Sequence, residues 1–358
     1  MMAGRGNVIK LGLIGCGRVA ETCHLPALQN LAGAEVVAVA DLDPDRLRQV
    51  ADRFHIKRRS TNFVALLDDP SIEAIAVCVP VQFHAEVALA ALKAGKHLFI
   101  EKPLALTLEE ADRLIACAGP LPRTILVGFN LRWHRLVRQA QRVIKRGVLG
   151  PLELMRTAFT SYHETIPEWR KRRALGGGVF FELAVHHFDL WRFLLQSEVE
   201  EVFAVSRSSH WEDETATVTA RLTNGVFVTS VFSERTNESN EIEIYGQAGC
   251  LRVSCYRFDG LEYVSSASLS GDVRTRLRRM VHTLEELPQG AWRMLRGGDL
   301  SASYQAEWRH FINAIQHGGP VGCTLADGRQ ALEVAVAAVE SAVLGRPVPV
   351  ARRPRSAT

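Results

Sequence analysis

Between residues 8 and 127 the chain repeats one pattern, a short aliphatic run followed by a stretch with helical spacing. The runs are Val8–Ile14, Glu35–Ala40, Ala74–Val79, His97–Ile100 and Thr124–Val127. The stretches near 17–30, 44–54, 61–68, 83–94 and 107–118 have the length and periodicity of helices. Strands separated by helices pair in parallel through right-handed crossovers, and strands apolar on both sides need helices on both faces. The N-terminal part is therefore expected to be a doubly wound parallel α/β domain. Pro26 falls inside the first helical stretch, where it should kink or restart the helix.

After residue 150 the texture changes. Leu152–Thr160, Val199–Arg207, Ala216–Leu222, Val226–Ser233, Glu241–Tyr245 and Cys250–Cys255 read as strands that mostly follow one another directly. Asn224-Gly225 and Gln247–Gly249 between runs are hairpin signals. The second half is expected to be an α+β domain on a largely antiparallel sheet. A helix near 178–195 interrupts the sheet, and helices near 302–317 and 325–343 close the chain. Leu284, Leu287, Trp292 and Leu295 follow Arg274, Arg276, Arg278 and Arg279 in an unusual segment, 273–297. It is expected to pack on its domain or on a subunit; the alternative is a basic amphipathic arm for a membrane surface.

Composition bounds the function class. A chain of 358 residues suits two domains, and 47% apolar with 23% charged residues is ordinary for a folded globular protein. A net charge of +4 is too mild to argue for nucleic acid. Seven cysteines without a C-x-x-C pair read as reduced thiols. No run approaches the length of a membrane span, and Val8–Ile14 is too short for a signal-peptide core. The expectation is a cytoplasmic protein with no nucleic-acid and no membrane partner.

Gly15-Cys16-Gly17-Arg18-Val19-Ala20 follows the first run and opens a helix, matching G-x-G-x-x-G/A. Gly15 permits a tight turn, Gly17 lets the backbone approach a pyrophosphate, and Ala20 keeps the helix close to the sheet. The helix N-terminus offers free amides and partial positive charge to phosphates. Asp41 ends the second strand and can accept hydrogen bonds from ribose hydroxyls. A 2′-phosphate there would meet Asp41, Asp43 and Asp45, with no arginine before Arg46. NAD is favoured over NADP. The division expected is a dinucleotide-binding domain over 1–128 and a substrate-binding and oligomerisation domain over 129–358.

Further motifs make the chain resemble a known family. They are Val79-Pro80 with His84, Ala94-Gly95-Lys96-His97, Glu101-Lys102-Pro103-Leu104, Gly128-Phe129-Asn130 with Arg132, and Trp169-Arg170. Gly176-Gly177-Gly178 with the helix from Glu182 to Asp189, Glu243-Ile244-Tyr245-Gly246 and Gly345-Arg346-Pro347-Val348 complete the set. Over essentially its whole length the chain resembles the glucose–fructose oxidoreductase / inositol dehydrogenase / rhizopine-catabolism (Gfo/Idh/MocA) family. The resemblance implies a Rossmann domain followed by an α+β domain, oxidoreduction of sugars, cyclitols or nucleotide sugars, and a homodimer or homotetramer formed through the C-terminal sheet. It adds Pro80, His84, Glu101, Lys102, Asn130, Trp169 and Arg170 to Gly15, Gly17, Arg18, Val19, Ala20 and Asp41 as candidates for holding the cofactor.

Lys102 follows a strand at its carboxyl end, where ligands of open α/β sheets bind. Its ammonium suits an alcohol oxygen developing negative charge, the role the resemblance assigns it. Glu182 and His186 are four residues apart and Asp189 three further on, so all three share one face of a regular helix. A histidine suits removal of a hydroxyl proton, and the resemblance makes His186 the general acid/base. Glu182 stands where the family more often has Asp, and Ala184 where it often has Gly. Whether Glu182 touches substrate or orients His186 stays open. His187 points about 100° away from His186, as a packed or solvated neighbour. Arg132, Tyr162, Glu182, His186, Asp189 and Lys102 are the expected substrate contacts, and one member of Arg170–Arg173 could meet a substrate phosphate or carboxylate. No further His/Cys cluster completes a metal site, so no metal is expected. A glycosidase that oxidises a sugar carbon transiently on tightly held NAD, and a non-catalytic NAD-binding regulator, are the alternatives.

Overall fold

The computed structural model describes residues 8–29, 31–119, 121–268, 273–295 and 297–350. The first sheet holds β1 (Ile9–Ile14), β2 (Ala34–Ala40), β3 (Arg58–Ser60), β4 (Ala74–Val77), β5 (His97–Glu101) and β6 (Ile125–Gly128). Their order is β3-β2-β1-β4-β5-β6, all parallel, with the order of winding reversing between β1 and β4. That crevice at the strands' carboxyl ends is where open α/β sheets bind ligands. β3 was not among the expected strands, because its exposed arginines carry no aliphatic pattern.

The segment after the glycine loop starts as a wide π turn, Ala20–His24, and resumes as an α-helix over Leu25–Gln29. Pro26 is the second residue of the α-helical segment that follows the π turn, so the regular helix resumes around it. Helices Pro44–Arg53, His84–Lys93 and Leu108–Ala118 complete the crossovers. The first of them is capped by Asp43, whose carboxylate accepts from the amides of Asp45 and Arg46.

The second sheet holds β7 (Leu152–Tyr162), β8 (Val199–Arg207), β9 (Thr215–Leu222), β10 (Phe227–Ser233), β11 (Arg235–Gly246), β12 (Gly249–Ser254), β13 (Leu261–Ser265) and β14 (Val348–Pro349). The order is β13-β12-β11-β7-β10-β9-β8-β14, antiparallel except for the β7–β10 pair. Both expected hairpins form, β9–β10 and β11–β12. β10 alternates exposed and buried residues along most of its length, which marks one face toward a core and one away from it.

The chain forms two compact units, residues 8–133 with Ser301–Arg329, and His134–Leu300 with residues 330–350. The expected division left everything after residue 128 in one domain. Residues 301–329 instead belong to the N-terminal unit, and the helix Gly298–His317 shows why. Its Trp308, Phe311 and Ile312 join Leu11, Leu13, Val39 and Phe99 in one buried cluster, and Trp308 stacks on Phe99 with ring centroids 4.1 Å apart. A sequence pass cannot see that an amphipathic C-terminal helix completes the first core rather than the second.

Candidate functional site

In the N-terminal unit, Gly15 turns the chain at φ +96°, and a Cβ there would lie 2.5 Å from the Cys78 carbonyl. The turn therefore admits glycine only. A Cβ on Gly17 would meet nothing within 4 Å, so the loop keeps open space beside its backbone. Arg18 is exposed, Val19 half-buried and Ala20 buried. The room beside Gly17, the helix start and the strand-end acid together fit a dinucleotide pyrophosphate and ribose.

Asp41 is built into this loop. Its Oδ2 accepts from the Cys16 amide at 2.7 Å and its Oδ1 from the Asp43 amide at 2.9 Å. Arg46, the first arginine after Asp41, donates to both oxygens at 3.2 and 2.9 Å. Burial pushes the Asp41 carboxyl up, but the Arg46 and backbone hydrogen bonds outweigh it and hold it below the usual range. Replacing Asp41 by Ser would remove the carboxylate expected to accept the ribose hydroxyls and leave Arg46 for a 2′-phosphate. The expected result is a KM for NAD raised about tenfold or more, with NADP becoming the better cofactor. Initial rates with both dinucleotides check this; an unchanged NAD/NADP ratio would take Asp41 out of ribose recognition.

Glu101 and Lys102 lie at the end of β5, and the Lys102–Pro103 bond is cis. Glu101 is buried, and its Oε2 accepts the Lys102 amide at 2.9 Å. Its Oε1 lies 2.7 Å from His24 Nε2, and Trp308 Nε1 donates to His24 Nδ1 at 3.1 Å. His84 is buried as well. Its ring nitrogens each lie 2.8 Å from a carbonyl, those of Pro103 and Val79, so it joins the loops after β4 and β5. Pro80 is half-buried beside it.

Asn130 is buried with Nδ2 donating to Ser303 Oγ, and Arg132 is buried against Asp327 and the Gly322 carbonyl. Arg132 was expected to meet substrate; its guanidinium instead ties the 301–329 segment to its own unit. Neither His24 nor Trp308 stands in a motif singled out from sequence. The only available signal was a lone histidine on the first helix.

In the C-terminal unit, Phe180–Ala184 forms a second π turn and Val185–Leu195 the α-helix that follows. From Gly176 to Arg192 every residue is buried except Glu182 and His186. Asp189, expected beside them, is 0% exposed. His186 and Asp189 keep their i, i+3 spacing on the regular helix Val185–Leu195, but the face around Asp189 is packed while His186 stays partly open; Glu182 lies on the π turn before them. His187 is also 0% exposed, with Nδ1 2.8 Å from Thr157 Oγ1 and Nε2 3.2 Å from Asn240 Oδ1.

Burial lowers the His187 pKa to about 4, partly offset by Asn240. The folded value lies below the unfolded one, so the unfolded chain takes up the proton first. Stability is full above pH 6.5 and falls as pH drops toward 4, by about 3 kcal/mol from this residue. Denaturant midpoints across that window should decline, and His187→Gln should flatten the decline. An equally steep slope in the variant would assign it elsewhere.

Arg170 is half-buried in a 3-10 turn, Glu168–Lys171, with Trp169 half-buried before it. Its guanidinium reaches Glu234, and Glu182 lies 3.5 Å away. Trp211 Nε1 also donates to Glu234, at 2.9 Å. Burial pushes the Glu234 carboxyl up, and Arg170 only partly draws it down. Gly177 makes this arrangement possible, because a Cβ there would fall 2.0 Å from the Arg170 carbonyl. Lys171 pairs with Glu168 and Arg173 with Asp213. Arg170, Lys171 and Arg173 thus each pair with an acid of their own unit. Tyr162 is 58% exposed, with the Arg235 guanidinium 5.5 Å over its ring. Glu234 and Trp211 carried no motif that sequence reading could seize. Among the described residues no cluster of His, Cys, Asp or Glu could hold a metal ion.

Comparison with known proteins agrees with both halves of this description. Residues 9–129 match the family model described as an oxidoreductase family with an NAD-binding Rossmann fold, and residues 137–252 match that of a GFO/IDH/MocA C-terminal domain. The chain is 28% identical over 342 residues to a myo-inositol 2-dehydrogenase of Thermotoga maritima, covering 93% of this chain and 96% of that one. It is 30% identical over 247 residues to a dTDP-3,4-didehydro-2,6-dideoxy-alpha-D-glucose 3-reductase of Actinomadura kijaniata, covering 68% and 74%. A crystal structure of a probable dehydrogenase from Thermotoga maritima superposes with TM-score 0.78 at 25% identity, covering 96% and 99%.

Proposed function

The chain belongs to the Gfo/Idh/MocA oxidoreductase family, and we propose that it oxidises a hydroxyl-bearing carbon of a sugar, cyclitol or nucleotide sugar, or reduces the matching ketone. NAD, when bound, supplies the hydride acceptor. Gly15, Gly17, Arg18, Val19, Ala20 and Asp41 would hold the dinucleotide. His186 takes the hydroxyl proton as the carbon loses its hydride, and Lys102 hydrogen-bonds the oxygen as its negative charge grows. In reduction both act in reverse. Glu182, already in the field of Arg170, sets the charge around His186 or meets a second hydroxyl.

The observation that carries the proposal is that Glu182 and His186 alone stay partly accessible within a buried stretch of seventeen residues, 176–192. A buried helix that offers one acid and one imidazole is arranged for a polar ligand. Relatives named for inositol and for a nucleotide sugar support the substrate class. Mixing the protein with NAD⁺ and a panel of neutral sugars and cyclitols should give an NADH absorbance rise with at least one of them. No rise across sugars, cyclitols and nucleotide sugars would overturn the proposal.

Two further points belong to the same proposal. Leu154, Phe203, Val205, Phe227 and Val231 are exposed on the second sheet, and a homodimer or homotetramer through this face would cover them. A cytoplasmic location suits seven free cysteines. Among the described residues no helix is long and apolar enough to cross a membrane.

A further inference from the structure

Two carboxylates approach the same nitrogen of Arg170. Its Nη2 donates to Glu234 Oε1 and lies 3.5 Å from Glu182 Oε2. The hydrogen bond goes to Glu234, and Glu182 has the longer contact. Arg170 Nε is buried without a hydrogen-bond partner, so Nη2 is the nitrogen for which the two acids compete.

Both ends of the stronger contact are fixed by backbone. Glu234 joins β10 to β11; its amide donates to the Glu214 carbonyl and its carbonyl accepts the His163 amide, each at 2.9 Å. Its side chain is 0% exposed, and its second oxygen accepts Trp211 Nε1 at 2.9 Å. On the other side, the Gly178 amide donates to the Arg170 carbonyl at 3.1 Å, and the close approach that demands glycine at 177 is to that same carbonyl. Glu182 lies on the π turn Phe180–Ala184 and stays partly accessible. Glu234 is sealed from any ligand, so whatever it does for one passes through Arg170.

A guanidinium nitrogen between two carboxylates divides its charge, and the shorter contact takes the larger share. With Glu234 neutral, Arg170 would close on Glu182 as a tight pair and hold that carboxylate away from a ligand. We propose that Glu234, fixed by Trp211, is a positioning residue for the oxidoreduction: it holds Arg170 back from Glu182 and so keeps the Glu182 carboxylate for a substrate hydroxyl. This rests on the proposed function, and of the two roles given there to Glu182 it commits to the second hydroxyl.

Glu234→Gln tests it with little change of shape. The amide oxygen can still accept from Trp211, and the NH2 then faces Arg170 Nη2, donor against donor. A ligand-free crystal structure of this variant should show Arg170 closing on Glu182 from 3.5 Å to about 3 Å. An unchanged separation overturns the proposal. With the best substrate of the sugar and cyclitol panel, kcat/KM should fall about tenfold, mostly through KM, while the Kd for NAD stays within a factor of about three. In a Glu182→Gln background the same substitution should cost less than about twofold, because the carboxylate that Arg170 would draw away is gone. Losses that multiply in the double variant, a loss carried by kcat alone, or NAD affinity that falls as far as kcat/KM would each show Glu234 acting by another route and overturn the proposal. Trp211→Phe removes only the donor that fixes Glu234 and should cost about threefold in the same direction. Should Glu234→Gln not fold, Trp211→Phe is measured in the same two backgrounds, and equal losses in both, or none in either, overturn the proposal. Wild-type protein that turns over nothing on the panel overturns the proposed function, and this role falls with it; an unmoved Arg170 overturns this role alone.

Discussion

Replacing His186 by Ala is expected to lower kcat about a thousandfold while NAD affinity stays within a factor of about three. The residue sits on the helix Val185–Leu195 and is not part of the glycine loop, so on the proposed mechanism its loss removes the proton acceptor and leaves that loop unchanged. Lys102→Ala is expected to cost about a hundredfold or more, because the alkoxide oxygen loses a charged donor. The informative variant is the double one. Groups that serve one oxygen and its proton are strongly non-additive, so the double variant should be little worse than the poorer single. Losses that multiply would mean that the two side chains act on separate events. Wild-type turnover by His186→Ala would remove the imidazole from the reaction outright. Measurement of kcat and KM for the best substrate of the panel, with NAD binding followed separately, distinguishes these results.

The glycine loop, the strand-end acid and the Glu-Lys-Pro turn were legible because each depends on local backbone demands. Gly15 must adopt positive φ, and Asp41 must end a strand beside the loop. The parallel sheet was legible from its unbroken aliphatic runs, and β3 was not, because an edge strand of Arg-Arg-Ser has no apolar face to show. The helix face around His186 was only half legible. Spacing put Asp189 beside Glu182 and His186, but spacing does not tell how far a helix is covered along its length, and Asp189, one turn beyond His186, is sealed by tertiary packing. Long-range partners were not legible at all. Arg170 was open to a substrate anion in sequence, and only the fold brings Glu234 to it from the junction of β10 and β11. The same holds for Trp308, which lies 284 residues from the His24 ring it hydrogen-bonds.

That distant bond leads to the second large effect, on stability. Trp308 donates to His24 Nδ1, so the proton of the neutral ring sits on Nε2 and points at Glu101. His24 is 0% exposed, boxed edge-on by Phe99, Tyr304 and Trp308. Burial pushes the Glu101 carboxyl up, but the hydrogen bond from His24, the charge of Lys102 and the Lys102 amide bring it below the usual range. Glu101 is therefore an ionised, buried group that depends on His24. His24→Leu keeps an apolar body in the box and strands the carboxylate, at an expected cost of about 3–5 kcal/mol. At two to four degrees per kcal/mol, Tm should fall by about ten degrees. Adding Glu101→Gln removes the stranded charge while keeping an oxygen for the Lys102 amide, so most of the stability should return. Trp308→Phe deletes one donor and should cost only about 1 kcal/mol plus the lost ring volume. Because the folded Glu101 pKa is depressed, its contribution is present above pH 4.5 and is lost as pH falls through the folded value. Thermal melts of the three variants at neutral pH separate the possibilities. A His24→Leu protein as stable as the wild type, or one that Glu101→Gln fails to rescue, would show that the imidazole does not hold this carboxylate in its ionised state.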